Sequence, residues 1–298
     1  MLLTTAIFLD GLNYAAWLFL VAVGLTLIFG VMRILNIAHG AFYTIGAYSC
    51  VTALAVYYQS GWPQAGAFIA LGLAAIISGL VVGLIVERGI LRWFYGRDEV
   101  LMVLVTYSLF LILSDGVKLI WGAQGYYATE PYAYFGYSDI GGLFYQNYDF
   151  LIVGVAILVG IGLFWWINHT RTGKMMIAVV ADREISAAMG INVTRIFTLT
   201  FIIGTILAMI GGALTAPKIS VTPDIGAEVI ILAFAVVVIG GLGSITGAAV
   251  GALLAGFARA ASVHLAPEFE LFAIYAIMAL VLAIRPHGLF AKQTVRKI

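Results

Sequence analysis

Gly11-Leu-Asn-Tyr-Ala-Ala-Trp-Leu-Phe-Leu-Val-Ala-Val-Gly-Leu-Thr-Leu-Ile-Phe-Gly-Val-Met32 carries no Asp, Glu, Lys or Arg. A helix that crosses a bilayer needs about 20 consecutive, mostly apolar residues, and this stretch supplies them. Charge-free runs recur at 34–86, 150–170, 196–217 and 229–258, with shorter ones at 100–114 and 271–284. Inside lipid every backbone N–H and C=O must be paired within the protein, so the choices are helices or a closed barrel. Barrel strands alternate polar and apolar residues. These runs are apolar all round, which selects helices.

The rest of the chain agrees. Of 298 residues, 63% are hydrophobic and 10% are charged, against about 25% charged in an ordinary soluble domain. Fifteen basic and 14 acidic side chains cannot cover a water-facing surface of this size. Lipid is therefore the solvent for most of the molecule. A net charge of +1 gives no basic field, which argues against a nucleic-acid partner. One cysteine, Cys50, excludes an intrachain disulfide and a Cys-cluster metal site.

Two runs are too long for one crossing. The run 34–86 breaks at Gln59-Ser-Gly-Trp-Pro-Gln64, and 229–258 breaks at Gly240-Gly-Leu-Gly-Ser244. The reading is an all-α polytopic membrane protein of nine segments, with eight to ten as the range. They lie near 12–30, 42–57, 65–86, 100–120, 150–167, 196–214, 227–240, 246–263 and 269–284. Those at 42–57 and 227–240 are short enough for half-helices. Twelve Lys and Arg fall in one set of connections and three (Lys118, Lys218, Arg259) in the other. The positive-inside rule then puts the N-terminus outside and the tail, with Arg285, Lys292, Arg296 and Lys297, in the cytoplasm. Residues 1–10 lack a basic start and a small-residue cleavage site, and read as lead-in to the first span rather than a signal peptide.

Four stretches carry further information. In Gly30-Val-Met-Arg-Ile-Leu-Asn-Ile-Ala-His-Gly-Ala-Phe-Tyr43, residues Arg33, Asn36 and His39 share a face if the stretch is helical. One reading is a cytoplasmic turn with Arg33 as a topology anchor. The other is a broken helix whose polar backbone lines a path through the membrane, with Asn36, His39, Gly40 and Tyr43 as its residues. Further on, Gly243, Gly247, Gly251 and Ala255 fall at steps of four, and Gly79 and Gly83 repeat the spacing, as helix-packing grooves do. Gly240, Gly241 and Gly243 sit where chain flexibility could serve gating. The loop 168–195 contains a helix-forming stretch, 177–189, stopped by Gly190. That helix suits either a membrane surface or a groove in another protein. The loop 121–149 is rich in Tyr, Phe and Trp, and reads as an interfacial belt or a docking surface on the outer side. Asp115 and Lys118 stand at helical pairing distance.

No enzyme signature appears. There is no phosphate loop, zinc-protease motif or nucleophile elbow, and the four histidines have no metal-ligand spacing. An intramembrane enzyme is thereby disfavoured. A secondary carrier or channel acting alone remains as the alternative to a transport subunit.

Gly24-Leu-Thr-Leu-Ile-Phe-Gly-Val-Met-Arg-Ile-Leu-Asn-Ile-Ala-His-Gly-Ala-Phe-Tyr43, the 240–251 stretch and the closing Arg285-Pro-His-Gly-Leu-Phe290 together resemble the permease subunits of bacterial ABC importers for branched-chain amino acids, most closely the shorter H-type subunit. The similarity covers nearly the whole chain. It implies a single permease domain over 1–298 in the bacterial inner membrane, forming half of a translocation path. It implies no cofactor on this chain, with ATP and magnesium held by two cytoplasmic ATP-binding subunits. A second homologous permease and a periplasmic solute-binding protein complete the implied partners, beside membrane lipid. The loop 168–195 resembles the coupling segment of such permeases, with Asp182, Arg183, Glu184, Ala187 and Gly190 as its contact residues. Glu184 stands at the family's spacing before Gly190, but Ile185 and Ser186 replace two expected alanines. Related permeases serve leucine-type amino acids, urea, amides or aromatic acids, so the resemblance leaves the cargo open.

The orientation is testable directly. On a Cys50→Ser background, a cysteine at Lys292 should react with a membrane-impermeant maleimide only from the cytoplasmic face. Labelling from outside would eliminate the nine-crossing arrangement.

Overall fold

Each of the nine apolar segments is a helix in the computed structural model, which describes residues 2–290. Lys292, Arg296 and Lys297, which weigh in the orientation of the tail, lie outside the described residues. The helices are α1 (Leu2–Met32), α2 (His39–Gln59), α3 (Ala67–Gly89), α4 (Glu99–Trp121), α5 (Glu130–Tyr134), α6 (Asn147–His169), α7 (Arg171–Ala181), α8 (Arg183–Ala188), α9 (Val193–Thr215), α10 (Ile225–Gly240), α11 (Ile245–Leu265) and α12 (Glu270–Ile284). Eight are long and apolar enough to cross a membrane, counting the 3₁₀ turns that extend α3 and α12. The ninth segment, α10, has 16 residues. At 1.5 Å per residue it covers about 24 Å, short of the roughly 30 Å hydrocarbon layer.

Helix α2 is longer than the 42–57 expected for it. It begins at His39 because the first turn is fully enclosed, with His39 Nε2 hydrogen-bonded 2.9 Å from the Val21 carbonyl oxygen. A small hairpin stands in the 121–149 loop, with β1 (Tyr137–Ile140) antiparallel to β2 (Leu143–Gln146). Its turn is Gly141-Gly142, both at positive φ, the backbone that a two-residue hairpin turn demands.

The bundle is built around α1, most of which is buried among α9, α10, α11 and α6. Apolar association gives helices in lipid little reason to pack, so contact depends on close van der Waals fit. The sequence meets this with glycine at several of the crossings. A Cβ on Gly24 of α1 would lie 2.5 Å from the Gly204 carbonyl of α9, and one on Gly46 of α2 would strike the Met209 backbone. Gly79 and Gly83 of α3 rest against Ile206 and Ile202 of α9. Gly247 and Gly251 of α11 face Gly240 and the Val236 carbonyl of α10, and Ala255 is fully buried. Gly243 is not part of that helical stripe. It precedes α11 at φ +82° and packs on Gly30 of α1. Helices α3, α4, α6 and α12 expose Ile, Leu, Val and Phe around the outside, as a lipid-facing ring requires.

The closing Arg285-Pro-His-Gly-Leu-Phe290 folds back on the end of α10. Leu289 N–H donates to the Ile239 carbonyl at 3.0 Å and Phe290 N–H to that of Gly240 at 2.9 Å. These carbonyls have no partner within the helix, and at membrane depth they need one. Gly288 makes the turn at φ +82°, with its Cα face against Gly241. Gly288→Val should lose about 2 kcal/mol from the left-handed backbone alone. That corresponds to a midpoint roughly 3 °C lower in a detergent melt. Gly72→Ala inside α3, where a Cβ meets open space, should hold the midpoint or raise it slightly.

Candidate functional site

A cavity of about 760 Å³ opens among the helix ends on the side where α1 begins. Helix α1 contributes Asp10, Asn13, Tyr14 and Trp17, and α2 contributes Tyr43. The link from α9 to α10 adds Lys218 and Asp224, and the first turns of α10 add Glu228, Val229 and Leu232. Arg259 of α11 and Glu270 of α12 complete the charged lining.

Most of these charges are paired. Arg259 lies over the Tyr14 ring, 3.9 Å from its centroid, and forms an ion pair with Glu270. His264 Nε2 meets Asp10 Oδ2 at 2.6 Å, Lys218 meets Asp149 at 2.5 Å and Lys118 meets Asp224 at 3.0 Å. The last pair corrects the expected Asp115–Lys118 pairing. Lys118 at the end of α4 reaches Asp224 at the start of α10, a surface pair in which both side chains stay exposed, and Asp115 is exposed as well. Outside the spans, burial and the Asp10 carboxylate push the Tyr145 phenol up to about 12, and burial with Asp149 does the same to Tyr132. Both remain neutral donors at physiological pH.

Glu228 differs. It projects from the fourth position of α10, where a negative charge complements the helix dipole, and none of the described ion pairs includes it. Its depth follows from its neighbours. Gly226 packs on Gly40, in the first turn of α2, itself level with Val21 in the middle of α1.

Tyr43 forms the floor, accepting a hydrogen bond from Trp17 Nε1 at 3.2 Å. Below it α2 and α10 meet in backbone contact at the Gly40–Gly226 crossing. The chain between α1 and α2 has no regular structure from Arg33 to Asn36, and all of it but Arg33 lies at least partly inside the bundle. Thr106 Oγ1 donates to the Leu35 carbonyl at 3.0 Å, two helical turns or about 10 Å from the start of α4. Because 33–36 is not helical, the shared face expected for Arg33, Asn36 and His39 does not form. Arg33 adopts φ +58° and is exposed, while Asn36 and His39 are fully enclosed. Both amide atoms of Asn36 and Nδ1 of His39 lack a hydrogen-bond partner among the described residues.

Of the residues singled out for a pathway, Tyr43 therefore lines the cavity. Asn36, His39 and Gly40 lie beneath its floor, and Gly240, Gly241 and Gly243 lie at the far end of α10. Sequence reading missed Asp10, Tyr14, Trp17, Glu228, Arg259 and Glu270. Glu228 carried a signal: it is a lone acidic residue directly before the charge-free run 229–258.

At the other end of the bundle the loop 168–195 is two helices rather than one over 177–189. Asp182 leaves helical geometry and caps α8, its Oδ1 accepting from Ile185 N–H at 2.9 Å. Gly190, at φ +85°, ends α8, with Ile191 N–H bonded to the Ser186 carbonyl and Gly190 N–H to that of Ala187. Arg183, Glu184 and Ala187 are exposed, as are Ile185 and Met189.

Residues 7–282 match the family described as branched-chain amino acid transport system / permease component. The chain belongs to that family. The high-affinity branched-chain amino acid transport system permease protein BraD of Pseudomonas aeruginosa is 30% identical over 295 residues, covering 97% of this chain and 96% of that protein. The permease protein LivH of Escherichia coli is 28% identical over the same length and with the same coverage. The ribose import permease protein RbsC of Escherichia coli is 28% identical over 195 residues, covering 63% of this chain and 57% of that one. This branched-chain permease component is thus a multi-pass inner-membrane protein with a transport role rather than an enzymatic one.

The two levels of the site differ in access. On a Cys50→Ser background, a cysteine at Glu228 should react with a small hydrophilic thiol reagent. A cysteine at Asn36 should react at least about tenfold more slowly, because an enclosed thiol reacts only through local opening. Equal rates would refute a closed floor.

Proposed function

We propose that this chain forms half of the membrane path of an ATP-driven importer for branched-chain or related hydrophobic amino acids. The observation that carries the cargo class is the mixed lining of the cavity. Lys218 and Arg259 stand with Asp10, Glu228 and Glu270, beside the apolar Trp17, Val229, Leu232 and Val263. A zwitterion with an apolar side chain finds complementary groups for each of its parts. Glu228, which has no ion pair among the described residues, is the group offered to the ammonium. The two relatives matched over the whole chain are branched-chain amino acid permeases, and the sugar permease matches less of it.

Cargo enters from the side where α1 begins, the outer side by the charge rule, and stops at Tyr43. Passage requires the Gly40–Gly226 crossing to part. The unpaired atoms of Asn36 and His39 just below it then replace water around the moving charges. Energy comes from partner chains. In this reading two ATP-binding subunits hold ATP and magnesium and grip the exposed Ile185 and Met189 face of α8, a second homologous permease completes the path, and a periplasmic solute-binding protein delivers cargo. No group of His, Cys, Asp or Glu able to hold a metal occurs among the described residues.

Reconstitution in proteoliposomes tests this. Uptake of leucine should require the ATP-binding subunits, and uptake without them would favour a carrier acting alone. Glu228→Gln should lower uptake about tenfold or more, the factor expected when a charge-assisted hydrogen bond is lost. Ile185→Asp should release the ATP-binding subunits during purification, and full association would remove α8 from the docking site.

A further inference from the structure

Glu87 is fully buried in the last turns of α3, near the α7–α8 end of the bundle. A carboxylate there is costly, and an apolar side chain would fill the space without that cost. Its contacts show what it holds. Oε1 accepts from Tyr95 Oη at 2.7 Å and from Thr198 Oγ1 of α9 at 2.9 Å. The Tyr95 ring stands edge-on to Phe197 of α9, with centroids 5.3 Å apart. The Arg183 guanidinium of α8 lies over the other partner in that pair, 5.0 Å from the Phe197 centroid. One carboxylate thus ties α3 to α9 and fixes the Tyr95 ring, which packs edge-on against Phe197, the ring that carries the first residue of α8.

We propose that Glu87 is a positioning residue for energy coupling: through Tyr95 and Phe197 it holds Arg183, so that a displacement of α8 moves α9 instead of being absorbed in the loop. This rests on the reading of α8 as the docking helix for the ATP-binding subunits. Helix α8 has six residues and sits between two breaks, the extended Asp182 and the left-handed Gly190. Pushed at its exposed face, so short a segment pivots at both breaks unless it is pinned. The pin leads somewhere useful. Helix α9 runs without interruption from Val193 to Thr215, about 33 Å. Phe197 and Thr198 lie in its first turns, and Thr215 lies on the cavity wall with Tyr43. Movement at the Arg183 end therefore reaches the cavity floor through one rigid element.

The test uses the full complex in proteoliposomes and reads three quantities: co-purified ATP-binding subunits, ATP hydrolysis, and uptake per ATP hydrolysed. Tyr95→Phe and Glu87→Leu should keep association and hydrolysis while uptake per ATP falls about tenfold, as for loss of a hydrogen bond to a charged acceptor. Glu87→Gln, which keeps an oxygen acceptor for Tyr95 and Thr198, should retain most of the wild-type ratio. The double variant should be no worse than Glu87→Leu alone. Should Glu87→Leu fail to assemble, Tyr95→Phe decides alone, because it keeps the ring and its packing. A wild-type ratio in Tyr95→Phe, or a fall in uptake with an unchanged ratio, would overturn the proposal and leave Glu87 a structural residue. Full association in Ile185→Asp would instead overturn the docking reading itself.

Discussion

Backbone contact between α1, α2 and α9 is the constraint on which the rest of this structure depends. Lipid tails are as apolar as the helix surfaces, so burial from water does not hold these helices together. Gly24 against Gly204, and Gly46 and Gly212 against the facing backbones, allow approaches that any side chain would block. The close fit encloses α1 and lets the start of α2 sit level with the middle of it. From that follows the irregular 33–36 segment at membrane depth, held by Thr106 on the Leu35 carbonyl.

The same packing separates the molecule into two levels. Toward the start of α1 the helices splay enough to admit a charged cavity. Below Tyr43 they close on the Gly40–Gly226 crossing. Helix α10 joins the levels. Its first turn presents Glu228 to the cavity, and its last carbonyls are capped by the chain at 288–290. A short helix with a charged, water-exposed beginning and a pinned end is suited to a path that opens at one side at a time. In the proposed path, the buried atoms of Asn36 and His39 that have no partner among the described residues are enclosed in this arrangement and used in another.

At the opposite end, α7 and α8 leave the bundle. A polar break at Asp182 and a left-handed glycine at 190 make α8 a separate unit with an exposed apolar face. The Glu87–Tyr95–Phe197–Arg183 chain of contacts returns it to the bundle. Two hydroxyl donors meet one oxygen of this buried carboxylate, while its Oε2 has no hydrogen-bond partner among the described residues.

The sequence alone determined the class of solvent, the number of apolar segments and their approximate limits, because lipid demands long uncharged helices and tolerates few exceptions. It also marked Gly190 as a helix end, since a local backbone preference is written in one residue. What it could not decide was which polar residues meet. Asp10 and His264 are separated by nearly the whole chain, yet bond at 2.6 Å, and Lys118 pairs with Asp224 rather than with its helical neighbour Asp115. The grouping of Arg33 with Asn36 and His39 failed for the same reason. Periodicity assumes a helix, and the tertiary packing of α1 against α2 left that segment no room to be one. Charged partners, cavity walls and the depth of a helix start depend on how far each helix is shifted along its neighbours. That shift is set by the glycine crossings acting together, so it exists only in the assembled bundle.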